Sequence, residues 1–401
     1  MRYLRLLALA TALGACSDDQ DETSPPLDAG SQDISITDDS SIPAPDAALG
    51  LSLNIVPGEI TYAARVEGGT YLYSIDADGG NRIRLTAEAD NWSFHAVSPN
   101  RRYIAAVKTD EAIDNHAAQL SQRGRIWIIN IRTGDKYPLT PDNCDAGIGG
   151  VAWTGDSFIA FAMSCDGETS KGFLASYSDQ SQNVGNMFPF AEHMFPVRDV
   201  SAALFTSRAT YVVDQERCEG QRCVAKPQIW VADTETLQAC QVTEGNRSFL
   251  GGENASLARV GDYNPSFTEQ LQGIVFSRNV ADKGSSSTGH HDIMRIGLDL
   301  NALDRNDIRC QQPGTESNLS ETLYNDSLGN GSANELYPQA PIGVMASGRH
   351  ALLTIERPND ESDSHLVTID LTGAKNQISV DGEFVHFASW ITSDTDLTGS
   401  R

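Results

Sequence analysis

The chain has 401 residues, 29 of them basic and 54 acidic, a formal net charge of −25 at pH 7 and 40% hydrophobic residues. A chain this acidic lacks the basic patches that nucleic acid or an anionic lipid surface requires, so neither is expected as its main partner. The balance suits a soluble body, one that meets cationic groups or metal ions.

Residues 1–15, MRYLRLLALATALGA, run from a basic start (Arg2, Arg5) through an apolar stretch to small Gly14 and Ala15. That is the order of a secretory signal peptide. The apolar part is about half the ~20 residues needed to span a bilayer, and no later stretch is long or apolar enough to do so. Leu13-Gly14-Ala15-Cys16 resembles the lipobox of bacterial lipoproteins. The resemblance implies cleavage before Cys16, a diacylglycerol on its thiol and an acylated new amine. Two or more acyl chains hold a protein stably on a membrane, where one does so only marginally. The alternative is an ordinary signal peptide with an incidental cysteine at the cut.

Residues 16–56 are expected to form the lipidated cysteine and an acidic tether. Residues 17–56 hold nine acids, no Lys or Arg and no aromatic residue. Such a segment cannot bury enough apolar surface to offset its chain entropy, so disorder is expected, with an end-to-end reach of roughly 35 Å. Ser17 after the cysteine resembles lipoproteins released to the outer membrane. Ser17-Asp18-Asp19 also resembles the surface-export tether of Bacteroidota lipoproteins. Outer-membrane anchoring follows from the resemblance, with the periplasmic face and the cell surface both open. An envelope protein or glycan is the partner to be expected there.

From residue 57 to 401 a phrase recurs. LYSID (72–76), IWIIN (126–130), IWVAD (229–233) and LVTID (366–370) alternate and carry β-branched or aromatic residues, as strands do. Turn residues follow each. A second strand then ends in a hydrophobic residue and Thr: Leu85-Thr86, Leu139-Thr140, Val242-Thr243. HAVSPN (95–100) and GVAWTGD (150–156) form a third phrase. YIAAV (103–107), FIAFA (158–162), GIVFS (273–277) and ALLTI (351–355) form a fourth. Weaker copies start at GFLASY (172–177) and DIMRI (292–296). Taking Tyr73, Trp127, Ala175, Trp230, Met294 and Val367 as equivalent gives intervals of 54, 48, 55, 64 and 73 residues. Four-strand units at such spacing predict an all-β fold, a β-propeller, with six blades. The poorly patterned third unit leaves five or seven open. The sixth unit lacks a fourth strand, and EITYAA (59–64) has no blade before it, so pairing the two closes the ring. Segments 110–124, 214–227, 281–290 and 311–335 read as loop insertions.

The run Tyr73-Ser-Ile-Asp-Ala-Asp-Gly-Gly80, then Arg84-Leu-Thr86, then Val97-Ser-Pro-Asn-Arg-Arg-Tyr-Ile-Ala105 resembles the repeat of TolB-type propellers. The resemblance covers most of 57–392. It implies a six-bladed periplasmic propeller that binds proteins or gates a peptidase. The lipobox and tether stand where that family carries an extra α/β domain, so the family's partners do not transfer.

Setting Cys16 aside leaves Cys144, Cys165, Cys218, Cys223, Cys240 and Cys310. An even number in an exported chain predicts disulfides. Neighbour-to-neighbour pairing, 144–165, 218–223 and 240–310, is the preferred set of fifteen, with 218–223 most secure because it brackets a four-residue loop. No Cys-x-x-Cys or paired Cys/His spacing supports zinc.

Catalytic signals are sparse. Gly284-Ser-Ser-Ser-Thr-Gly289 lacks the glycine of a nucleophile elbow, and no phosphate-cradling or dinucleotide fingerprint occurs. His290-His291-Asp292 alternates sides and reads as a loop into the fifth unit. Asp76-Ala77-Asp78-Gly79 and Asp299-Leu300-Asn301 alternate oxygens as calcium loops do, without the closing Glu. Trp92, Trp127, Trp153, Trp230 and Trp390 fall on strands, which favours core over a sugar platform. Sequons Asn246-Arg-Ser and Asn254-Ala-Ser mean little if the chain is bacterial. No catalytic residue, metal ligand or cofactor is therefore assigned. A protein- or glycan-binding module is the reading taken, and a hydrolase or lyase at the central channel is the alternative.

Overall fold

The computed structural model describes residues 53–66, 69–111, 123–178, 183–219, 222–244, 261–268, 271–280, 290–305, 307–319, 337–344, 350–357, 360–370, 375–377 and 384–391. Cys16, residues 17–52 of the acidic tether, residues 284–289, Asn246 and Asn254 lie outside them; residues 53–56, expected as the end of the tether, are described, and there Val56 is buried and its N–H donates to the Arg101 carbonyl at 2.7 Å, so the fold begins before residue 57.

The chain enters the fold through β1 (Ile60–Val66), β2 (Gly69–Ile75) and β3 (Ile83–Arg84). A second sheet follows in strict order: β4 (Trp92–Val97), β5 (Tyr103–Thr109), β6 (Gly124–Asn130) and β7 (Lys136–Pro138). The third holds β8 (Cys144–Gly155), β9 (Phe158–Cys165), β10 (Lys171–Ser178) and β11 (Asn183–Ala191). The fourth holds β12 (Val197–Ala202), β13 (Arg208–Glu219), β14 (Arg222–Asp233) and β15 (Ala239–Gln241). The fifth holds β16 (Asp262–Phe267), β17 (Gly273–Val280), β18 (His290–Gly297) and β19 (Ser317–Asn318), with one helical turn, α1 (Asn301–Asp304), between its last two strands. Then β20 (Tyr337–Val344), β21 (His350–Arg357), β22 (Asp360–Asp370), β23 (Lys375–Gln377) and β24 (Phe384–Trp390) return to the sheet of β1.

The closure is as expected. β1 pairs antiparallel with β24, Ile60 opposite Trp390, so neither end leaves a bare strand edge there. The blade count is corrected. The strands form five sheets, four of four strands and one of eight, where six separate blades were expected. The units at the two ends of the chain share the eight-stranded sheet through one parallel partner pair, Ser364 opposite Phe384. The phase of the repeat is corrected too. LYSID and the strand after it close one sheet, while HAVSPN and YIAAV open the next. The third phrase is therefore the innermost strand of each blade. The segment 214–227, expected as a loop, extends the β13–β14 hairpin, paired as far as Glu219 opposite Arg222.

Five apolar clusters fill the spaces along and between the sheets. One combines Tyr103, Ala105, Val107, Ile126 and Ile128 with Trp153, Ile159, Phe161 and Met163 of the next sheet. Alternate residues Ile104 and Ala106 of β5 turn the other way, into a cluster with Ala63, Leu72 and Trp92. On β9, Ile159 and Phe161 face one neighbour, and Ala160 and Ala162 face the other. A middle strand buried on both faces reads as a continuous apolar run, which is why YIAAV and FIAFA lack polar residues. Among the described residues no helix is long and apolar enough to cross a membrane.

The recurrent Thr has one job. Thr86 Oγ1 accepts from Leu72 N–H at 3.1 Å, Thr140 Oγ1 from Ile126 at 3.1 Å and Thr243 Oγ1 from Ile229 at 3.0 Å. Each satisfies a buried donor where the short outer strand stops. Two of the expected disulfides form, Cys144–Cys165 and Cys240–Cys310. Cys218 and Cys223 stand opposite each other on β13 and β14; their side chains lie outside the described residues.

Candidate functional site

The inner strands β4, β8, β12, β16, β20 and β24 pack each against the next, and β24 against β4. On four of them the register breaks at the same place. Ser93 and Phe94 intervene between Trp92↔Lys108 and His95↔Ala106. Asp199 and Val200 intervene between Arg198↔Val212 and Ser201↔Thr210, and Asn264 and Pro265 between Tyr263↔Ser277 and Ser266↔Val275. On β8 residues 147–150 intervene between Ala146 and Val151. A bulge leaves its extra residues outside the ladder and re-aims their side chains. Of these residues Phe94, Gly149, Asp199, Val200, Asn264 and Pro265 border one cavity.

Four bulge residues have positive φ: Gly149 at 71°, Gly150 at 112°, Asp199 at 49° and Asn264 at 46°. Glycine, aspartate and asparagine are the types that tolerate this region. They also interlock. A Cβ on Gly149 would stand 1.8 Å from Asp199 Oδ1, and Asn264 N–H donates to Asp199 Oδ2 at 3.2 Å. Asp199 thus bridges the inner strands on either side of its own.

These bulges border a half-enclosed cavity of about 150 Å³. Phe94, Trp153, Phe387 and Trp390 supply aromatic surface, and His95, Asp199, Ser201, Asn264, Ser266 and Ser389 supply polar groups. Phe387 packs edge-on to Phe94 at 5.0 Å and to His95 at 5.4 Å between ring centroids. Trp153 Nε1–H donates to the Ala96 carbonyl at 3.1 Å, whereas Trp390 Nε1–H has no partner among the described residues.

Burial pushes the Asp199 carboxyl up to about 6, against the pull of Arg198 and of Asn264 N–H. Arg198 lies in an ion pair with Asp214 at 2.9 Å and stacks over Tyr263 at 4.7 Å. Burial works against its charge, but Asp199 and Asp214 outweigh that and hold it above its ordinary value. His95 runs the other way. Burial pushes it down to about 4, partly opposed by the Ser93 and Thr61 carbonyls. Its Nδ1 lies 3.1 Å from the Ser93 carbonyl, which can only accept, so Nδ1 carries the hydrogen of the neutral ring.

The residues singled out from sequence fare differently. The oxygens of Asp76 and Asp78 serve their own turn: Gly80 N–H donates to Asp78 Oδ1 at 2.8 Å, and Asn81 Nδ2 to Asp76 Oδ2 at 2.6 Å. Asp299 pairs with Arg305 at 2.8 Å, and that bond holds its carboxyl below the ordinary value. His290, His291 and Asp292 stand in β18, opposite Val280, Asn279 and Arg278, rather than in a loop; their side chains lie outside the described residues. All five tryptophans lie on strands, and Trp92 and Trp230 belong to apolar clusters. Trp153 and Trp390 border both core and cavity. Among the described residues no three His, Cys, Asp or Glu side chains gather as metal ligands. Sequence reasoning passed over Asp199. The available signal was Val197-Arg198-Asp199-Val200, two charges inside an apolar strand, where charged residues are rarely buried unless paired.

No protein-family model matches the chain, and no curated protein does either. Solved structures do. Kuenenia stuttgartiensis hydrazine synthase aligns with a TM-score of 0.53 at 10% identity, over 84% of this chain and 47% of that one. The chain thus spans about half of that protein's length, and the likeness is one of fold alone. A TolB from Agrobacterium tumefaciens aligns at 0.47 and 11% identity, over 84% of this chain and 99% of that one. An oligogalacturonate lyase in complex with manganese aligns at 0.44 and 10% identity, over 80% and 74%.

Proposed function

We propose that the chain is an envelope lipoprotein, anchored in the outer membrane through acyl groups on Cys16, whose TolB-like propeller is a binding module for an envelope protein or glycan. The periplasmic face and the cell surface both suit the acidic tether. The observation that carries the binding reading is the half-enclosed cavity at the centre of the ring, bordered by His95, Asp199, Asn264 and Ser266 together with Phe94, Trp153, Phe387 and Trp390. A concave site that sets polar groups beside aromatic side chains can orient a bound group.

The test uses the full processed chain and its Ser201→Phe variant, which fills the cavity. Both are offered envelope extract, with the fold checked by melting. Wild type is expected to retain a defined partner that the variant loses. Equal capture by both, or none by either, contradicts the reading. The anchor is tested separately by the mass of the mature N-terminus, expected to begin at an acylated Cys16; an unmodified or later start contradicts it. Asp199 titrating near pH 6 is also what a general acid or base needs, and this keeps a hydrolase or lyase at the channel as a second reading. An enzyme converts and releases what a binding module retains.

A further inference from the structure

We propose that the rim formed by the β8–β9, β12–β13 and β14–β15 turns docks a protein segment whose apolar side chains are flanked by Lys or Arg. Phe158, Phe205 and Leu237 are the apolar surface it covers. None of the three borders the central cavity, so this site is separate from the recognition proposed there.

The three turns lie together. Successive strands of each sheet run antiparallel, so turns from first to second and from third to fourth strand fall at one end of the sheet. Phe205 N–H donates to the Thr154 carbonyl at 2.7 Å, and Thr234 N–H to the Ser207 carbonyl at 2.7 Å. A Cβ on Gly155 would stand 3.9 Å from Phe205 Cδ1. Phe158 is 46% exposed, Phe205 49% and Leu237 58%. Apolar residues exposed singly are ordinary, whereas apolar residues gathered on neighbouring turns mark an interaction surface.

The backbone gives a second, independent reason. The β6–β7 and β14–β15 turns are built alike. Gly134 N–H donates to the Asn130 carbonyl and Leu237 N–H to the Asp233 carbonyl, each at 2.8 Å. Asn130 Oδ1 accepts from the N–H of Arg132 and Thr133, and Asp233 Oδ1 from the N–H of Glu235 and Thr236. The position is left-handed in both, with φ of 75° at Gly134 and 61° at Leu237. Glycine adopts this conformation freely, and a branched side chain is strained in it. Leu237 therefore carries backbone strain and also holds an apolar side chain in water. Neither helps the turn to form. Phe205 repeats the combination, with φ of 56°. Strain kept at exposed apolar residues points to a role outside the fold.

Charge selects the partner. Asp156 and Glu235 stand in these turns, exposed and in no ion pair among the described residues, and residues 155–157, 203–207 and 234–238 include no Lys or Arg. Arg208, at the start of β13, is held by Asp233 at 2.6 Å. An apolar segment bordered by cations complements this rim, while an anionic bilayer is repelled by it and by the chain's net charge of −25.

The test is calorimetric titration of the full chain with an amphipathic helical peptide of leucine and lysine about five turns long, with the same peptide carrying glutamate for lysine as the control. Binding of the lysine peptide and not the glutamate one is expected, and it weakens as salt is added. Leu237→Gly and Phe205→Asn are each expected to weaken binding roughly tenfold or more. Leu237→Gly is also expected to leave the melting temperature unchanged or higher, because glycine relieves the strain. Met194→Gly is the matched control. Met194 is 90% exposed and lies between β11 and β12, at the other end of β12 from its turn, and its loss is expected to leave binding as in wild type. Equal binding of the two peptides, an unaffected Leu237→Gly, an equal loss in Met194→Gly or an absence of binding overturns the proposal. So does a lower melting temperature in Leu237→Gly, which assigns the leucine to the fold, or binding of phosphatidylcholine vesicles in place of the peptide. Partner capture that still depends on an open cavity would in any of these cases leave the binding module standing.

Discussion

Thr140 and Asp199 mark the two ends of what a residue shows on its own. The Leu-Thr phrase repeats, so its Thr could be read as structural before its bond to Ile126 N–H was known. Asp199 occurs once, in a segment with weak patterning, and its role depends on Gly149 and Asn264, 50 residues before it and 65 after it. Contacts of that span leave no local trace. The buried pair of Asp262 and Arg278, at 2.7 Å, was illegible for the same reason until β16 and β17 were placed side by side. The cavity groups also predict a pH dependence of stability. Asp199 has its folded-state pKa raised to about 6 from 3.8, so its contribution is full at low pH and is lost as pH rises toward 6. His95 has its value lowered to about 4 from 6.5, so its contribution is full above 6.5 and is lost as pH falls toward 4. Melting temperatures between pH 4 and pH 7 check this. Asp199→Asn is expected to remove the decline on the rising side, and His95→Gln the decline on the falling side. Variants that track the wild-type profile would show that neither group is perturbed in the fold.

At the scale of elements the strands were legible and their grouping was not. Tyr73, Trp127, Ala175, Trp230, Met294 and Val367 do occupy corresponding strands, β2, β6, β10, β14, β18 and β22. Alternation and turn chemistry are local, so they survive without the fold. The boundaries between sheets depend on which neighbour a strand pairs with, and any starting point in a four-strand repeat gives the same period. The inner-strand bulges were invisible because a bulge adds one residue to a strand without changing its composition. Disulfides act at this scale as well. Cys144–Cys165 joins partners on β8 and β9, 21 residues apart, while Cys240–Cys310 joins β15 to the segment after β18, 70 residues apart, and so ties two sheets together. Loop closure gives ~3 kcal/mol for the first and ~4 kcal/mol for the second. Chemical denaturation of the two double Cys→Ser variants is expected to show the greater loss for 240/310. The reverse order would place the weakness within the third sheet rather than between the fourth and fifth.

For the whole molecule, ring closure was legible because an orphan strand at each end could only pair with the other. The count of separate blades was not, because the pair Ser364 and Phe384 merges two units into one sheet, and a single cross-sheet contact has no sequence signature. Under the proposed reading the acidic balance favours cationic partners, and the central cavity is where they would be met. Recognition at that cavity is the central claim. A photoreactive phenylalanine analogue in place of Phe387, which borders the cavity, tests it in intact cells, with the same analogue at exposed Glu168 as the control. The account predicts one discrete crosslinked product from position 387 and none from 168. No product from 387, or the same product from both, would contradict it.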